Sequence, residues 1–84
     1  MTRYTVVWVQ EAEDELADIW LAVVGRSEVT AATRSIDLAL QIDAESKGIE
    51  LAEGLRSFNS PPLRVIFMVR ADDRIVEVLL VRQV

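Results

Sequence analysis

The chain has 84 residues, 51% of them hydrophobic, a net charge of −5, and neither cysteine nor histidine. Those two absences exclude a disulfide framework, zinc sites built on thiolate or imidazole, and histidine-based acid–base catalysis. One small domain, residues 1–84, is the expected organisation, and general nucleic-acid affinity is not expected, because displacing counterions needs a basic surface.

Arg3 to Val9 reads as a strand, with Tyr4, Val6 and Trp8 on one side and Thr5, Val7 and Val9 on the other. Both sides are largely apolar, which places it inside a sheet or under a partner. Gln10 opens a helix whose first turns hold Glu11, Glu13, Asp14 and Glu15, acids suited to the positive end of the helix dipole. Ala12, Leu16, Ile19, Trp20 and Val23 form its buried stripe, and Gly25 is its expected C′ residue. Ser27 caps a second helix, expected from Glu28 to Ser46, with Val29, Ala32, Ile36, Ala39 and Leu40 on its apolar face. The short Gly25–Ser27 link makes the two helices an antiparallel hairpin. Gly48 ends the second helix, Ile49 and Leu51 anchor a loop, and Gly54 to Phe58 reads as a short edge strand. Pro61 and Pro62 cannot donate ladder hydrogen bonds and break the sheet there.

The C-terminal stretch carries the clearest pattern. Leu63 to Arg70 alternates with period two, Ala71–Arg74 supplies a polar turn, and Ile75 to Gln83 forms a second strand. Pairing Arg70 with Ile75 and Val65 with Leu80 puts Leu63, Val65, Phe67, Val69, Val76, Val78 and Leu80 on a core face. The opposite face then carries Arg64, Ile66, Met68, Arg70, Ile75, Glu77, Leu79 and Val81, apolar in the middle and charged at its margins. The predicted fold class is α+β, ordered β-α-α-β-β-β, with the helical hairpin on one face of a mostly antiparallel four-stranded sheet and the other face open.

Charge divides along the chain. Residues 1–46 hold three basic and nine acidic side chains, and residues 47–84 hold six basic and five acidic. The acidic half reads as solvated helix surface. No apolar run approaches the roughly 20 residues needed to cross a bilayer, and the N-terminus lacks a signal-peptide pattern, so the expected location is cytoplasmic, without membrane association.

The element order, the Ala12–Leu16–Ile19 helix opening, and the hairpin Leu63-Arg64-Val65-Ile66-Phe67 … Asp72-Asp73-Arg74 … Val76-Glu77-Val78-Leu79-Leu80-Val81 resemble the RelE/ParE superfamily. These are small bacterial toxins of type II toxin–antitoxin systems, plasmid-stabilisation proteins among them. The resemblance covers nearly the whole chain. It implies a toxin neutralised by a cognate antitoxin and needing no cofactor or metal. Its ribonuclease branch cuts messenger RNA on the ribosome with a strand arginine, which Arg64 matches, and Arg56 on the preceding strand is the candidate second cation. That branch also uses lysines and a C-terminal tyrosine. Here Leu55 and Ser57 stand at the lysine positions, the only tyrosine is Tyr4, and the sequence runs to Val84 without a basic–aromatic tail. Cleaving RNA without metal requires a base, an acid and phosphate-binding cations, and arginine supplies only the last.

The reading favoured by the sequence is therefore a toxin acting by protein binding, in the manner of the gyrase-directed ParE branch. The alternatives are a ribosome-dependent endoribonuclease with a reduced site, carrying Arg64 and Arg56, and a non-toxic homodimerising module that kept the fold. Arg64, Ile66, Met68, Arg70, Leu79 and Val81 are the candidate partner-binding residues. For Arg64 two roles stand side by side: pairing with Glu50, Glu53 or Glu77 while its stem covers apolar surface, or holding a partner's carboxylate or phosphate. Ile66, Met68, Leu79 and Val81 are either covered by residues 47–54 or bare for an antitoxin segment.

Overall fold

The alternation in Leu63–Arg70 builds the centre of the molecule, because one side of that strand is wholly apolar and has to be covered. The computed structural model describes residues 1–84, with strands β1 (Thr5–Trp8), β2 (Ile49–Ala52), β3 (Leu55–Ser60), β4 (Leu63–Arg70) and β5 (Ile75–Gln83). Two helices, α1 (Gln10–Ala22) and α2 (Arg26–Leu40), separate β1 from β2, and a single 3-10 turn occupies Ala44–Ser46. The fold is α+β, as the pattern implied. Its sheet has five strands in the order β1-β5-β4-β3-β2, all antiparallel except β1, which pairs parallel to β5.

The sheet is mostly antiparallel, as expected, but it has five strands where four were expected, and three local expectations are corrected. Ile49–Ala52 is a strand and not a loop: it forms a hairpin with β3 and takes the sheet edge expected for residues 54–58. All four of its residues are exposed, so no burial pattern marks it in the sequence. β1 sits at the opposite edge, outside β5, and not in the sheet interior. Pro61 and Pro62 do not interrupt the sheet but form the tight β3–β4 turn, joined by a cis peptide bond.

Hydrophobic burial decides the helix faces. Ala12 of α1 and Val29, Ala32, Ile36 and Leu40 of α2 are fully buried against Leu63, Val65, Phe67, Val76 and Val78. Trp20, placed in the buried stripe by its spacing, is 40% exposed. Helix α2 stops at Leu40, six residues before the expected end, because the segment after it is claimed by the N-terminus. The Tyr4 amide donates to the Gln41 carbonyl at 2.8 Å, and Arg3 bridges Ile42. Asp43 then turns through a left-handed conformation, and its carboxylate accepts from the Thr2 amide at 2.7 Å. Gly25 has φ −89° and caps the start of α2, not the end of α1, so it is not the positive-φ residue its position suggested.

The β4–β5 hairpin begins in the predicted register, Arg70 with Ile75, Val69 with Val76 and Phe67 with Val78. It then slips by one: Ile66 pairs with Leu80 and Val65 with Val81, leaving Leu79 as an extra residue on β5. Such a bulge exchanges the faces of everything beyond it. Val81, expected on the open face, is 1% exposed in the core, and Leu80, expected in the core, is 38% exposed on the other side. An aspartate at position 81 would bury an unpaired charge and should prevent folding, whereas Leu80→Asp should cost less than about 1 kcal/mol. Urea unfolding of the two variants checks this, and the reverse order of stability would restore the unbulged register.

Candidate functional site

Because the helices cover one face of the sheet, the other face is bare, and the register lays its residues out in rows. Across β3, β4 and β5 the first row is Asn59, Arg64 and Arg82; the second is Ser57, Ile66 and Leu80. The third is Leu55, Met68 and Glu77, with Val7 of β1 beside Glu77, and the last pairs Arg70 with Ile75. An apolar band of Ile66, Leu80, Leu55 and Met68 therefore lies between a basic row and an ion pair, since Arg70 is bridged to Glu77.

Arg64 is exposed and makes no side-chain hydrogen bond or ion pair; Glu77, one of its three expected partners, is held by Arg70, and Glu50 and Glu53 do not reach it. Directly opposite stands Arg82. Side chains so placed are about 5 Å apart at their roots, and like charges in that position oppose folding. The bulge at Leu79 is what brings Arg82 there. Without it Arg64 would face Val81, which is why Arg82 and the outward position of Leu80 escaped the sequence reading; Leu55 and Asn59, on β3, were missed independently of the bulge. The run Val78-Leu79-Leu80-Val81 carries no signal for where the extra residue falls.

Arg56 lies elsewhere. It pairs with Phe67 and so shares the helix side of the sheet, where its Nε donates to the Lys47 carbonyl at 2.7 Å and a terminal nitrogen to the Gly48 carbonyl at 3.3 Å. Arg56 and Arg64 consequently project from opposite faces, and the cation beside Arg64 is Arg82. Leu79 is half-buried at the bulge. Residues 47–54 do not cover the band; they extend the sheet sideways, and only Gly54 approaches Met68, whose sulfur would lie 3.2 Å from a Cβ added there.

Arg82 is tethered from the helical side. β1 stops opposite Val78, so the β5 edge beyond it lacks a strand. Glu15 of α1 takes that place, one carboxylate oxygen accepting the Val81 amide at 3.1 Å and the other the Arg82 guanidinium. The Val81 amide first, and then Arg82, hold the Glu15 carboxyl below its ordinary value. Tyr4 is no substitute for a catalytic tyrosine: it is buried, and Glu45 beside its phenol, then burial, raise its pKa above the ordinary value of 10.0. No group of three acidic side chains converges to hold a metal ion.

A helical hairpin on one face of a mixed sheet, with arginines and an apolar band on the bare face, defines a class of small α+β proteins. Within that class the backbone is the RelE/ParE toxin fold. It superposes on a chain of the RelBE2 toxin–antitoxin complex from Mycobacterium tuberculosis with a TM-score of 0.81 at 18% identity, covering 100% of this chain and 94% of that one. The chromosomal ParDE toxin–antitoxin system of P. aeruginosa gives 0.65 at 17% identity over 98% and 97%. An arginine double mutant of the E. coli toxin RelE, solved with a RelB antitoxin peptide, gives 0.59 at 13% identity over 99% and 85%. No family model matches the sequence, and no curated protein matches it.

The Glu15 contacts set a pH dependence whose sign follows from the depressed carboxyl. A group with a folded pKa below its unfolded one contributes stability that is complete above the unfolded value, here 4.5, and is lost as pH falls through the folded value. Glu15→Gln should therefore be less stable than the native chain at pH 7, with the difference shrinking below about pH 4.5. Urea midpoints at pH 7 and pH 3 measure it; a difference that stays constant would remove Glu15 from this role.

Proposed function

We propose that this protein is the toxin component of a type II toxin–antitoxin module, acts in the cytoplasm by binding a protein target, and is neutralised by an antitoxin docked on the bare sheet face. The observation that carries the reading is the apolar band of half-buried Ile66, Met68 and Leu55 with exposed Leu80, on the face away from the helices, beside the unpaired Arg64. A monomer gains nothing from an apolar band on a solvated face, whereas a partner segment laid over it buries that surface and supplies a carboxylate to the guanidinium. Met68 suits such a contact because its unbranched side chain adapts to its neighbours. The toxin role is also supported by the fold, shared with chains of RelBE2, ParDE and RelE complexes.

One observation favours a second reading, the RelE-like endoribonuclease. Arg64 and Arg82 stand side by side and could hold one phosphate between them. The chemistry around them favours binding: the titratable neighbours on that face are Arg70 and Glu77, already paired with each other, and the sole tyrosine lies buried beside Glu45. Two guanidinium groups stabilise a developing phosphorane charge but move no proton at neutral pH.

Expression in a bacterial host should arrest growth, and co-expression of the small protein encoded beside it should relieve the arrest. No ribosome-dependent cleavage of messenger RNA should accompany the arrest, read by primer extension. Cleavage that disappears in Arg64→Ala would establish the ribonuclease instead. Met68→Asp should weaken antitoxin binding by about tenfold or more with an unchanged circular dichroism spectrum, because it sets an uncompensated carboxylate in the docked band. Undiminished affinity would move the antitoxin off this face.

A further inference from the structure

Two arginines opposite each other on neighbouring strands suit a phosphate between them, yet on the bare face only Arg64 is free. The reason lies at the open edge of β5. Glu15 takes the Val81 amide there, and a residue's N–H and C=O point to the same side of a strand, so the Val81 carbonyl faces that edge as well. One terminal nitrogen of Arg82 donates to that carbonyl at 2.9 Å and also to the Glu15 carboxylate. The Arg82 head is thereby drawn over the edge of β5 toward α1, not across the sheet toward Arg64. We propose that Glu15 is a specificity-determining residue of the bare face: it withdraws Arg82, leaves Arg64 as a single-cation site for a partner carboxylate, and keeps the two arginines from closing on a phosphate backbone.

This role rests on the reading of the bare face as the surface that takes a partner carboxylate. Arg64 and Arg82 bring two positive charges and Glu15 removes one, so the cluster presents a single net positive charge. One carboxylate balances it in a bidentate pair. A nucleic acid instead brings a row of phosphates, and its affinity grows with each cation that displaces a further counterion. Withdrawing Arg82 forfeits one such contact, and the Glu15 carboxylate repels a phosphate strand passing over the edge of β5. Discrimination of this kind penalises the wrong partner without tightening the right one.

Stability does not account for the arrangement. The Glu15 bond to the Val81 amide already closes the strand edge that β1 leaves open, and it needs no arginine at position 82. The Arg82 side chain is 59% exposed, and an ion pair so open to water adds little to folding. What the bridge does fix is the direction of the guanidinium.

The test is a double-substitution cycle on the full chain, read by the anisotropy of a short fluorescein-labelled oligouridylate at low salt. The native chain should bind this RNA weakly. Glu15→Gln, whose side-chain oxygen still accepts the Val81 amide, should bind it about fivefold or more tightly, and log affinity against log salt should steepen by about 0.7, the increment for one further phosphate contact on a single strand. Arg82→Gln alone should change the native affinity by less than about threefold, because that guanidinium is already withdrawn. The Glu15→Gln/Arg82→Gln double variant should return to the native value. An unchanged affinity in Glu15→Gln overturns the proposal, and so does a gain that survives in the double variant, which would trace it to overall charge. A loss of about tenfold in Arg82→Gln alone also overturns it, by placing Arg82 on the face in the native chain, and this arm decides even if Glu15→Gln fails to fold. Met68→Asp reads antitoxin docking separately. Undiminished antitoxin affinity there would remove the carboxylate partner and leave the RNA comparison standing, so the two failures are told apart.

Discussion

Leu79 is one residue more than the β4–β5 ladder can pair, and the arrangement of the bare face depends on it. Side chains alternate along a strand, so one unpaired residue reverses the assignment of everything after it. Before the bulge, Val76 and Val78 face the core; after it, Val81 does, and Leu80 and Arg82 turn outward. The bulge falls just where the parallel pairing with β1 ends at Val78. Past that point the edge of β5 is supported by α1 through Glu15, a single carboxylate satisfying both a strand amide and a strand guanidinium.

This geometry places two like charges in neighbouring positions and compensates only one of them. Arg82 has Glu15; Arg64, across the strand, has nothing. A structure selected for stability alone would not keep a guanidinium opposite another guanidinium when any neutral residue would relieve the repulsion. Glu15 also fixes where Arg82 can point, so the pair forms an oriented positive patch in which Arg64 alone lacks an anion. The same reasoning separates Arg56 from this site: its two carbonyl partners, on Lys47 and Gly48, are the groups left open where the chain leaves the 3-10 turn and enters β2, a structural task on the opposite face.

Much of this fold was legible because its strongest signals are local. The α1 and α2 stripes, the period-two alternation of Leu63–Arg70 and the Ala71–Arg74 turn each follow from neighbouring residues alone. What escaped is non-local or degenerate. The parallel seat of β1 beside β5 joins the two ends of the chain and leaves no mark in either segment. Ile49–Ala52 is exposed on every residue, so nothing in its pattern separates an edge strand from a loop. Helix α2 ends early because Thr2, Arg3 and Tyr4 take the backbone groups of residues 41–43, a competition invisible from residues 28–46 themselves. In the candidate site, Arg64, Ile66, Met68 and Arg70 were legible since they lie on β4, whose own alternation is unbroken, the extra residue being on β5. Val81 was misplaced and Arg82 missed because four consecutive apolar residues, 78–81, read the same in either register.

The two sides of the molecule differ in the sign of their charge, and the sheet is what keeps them apart. The helical layer gathers carboxylates around an apolar cleft; the bare face gathers arginines around an apolar band. Each combination is poor at recognising copies of itself and good at recognising its opposite, because burial supplies the attraction while charge supplies the discrimination. On the bare face, under the reading proposed above, that discrimination falls to Arg64, which selects a partner segment carrying a carboxylate.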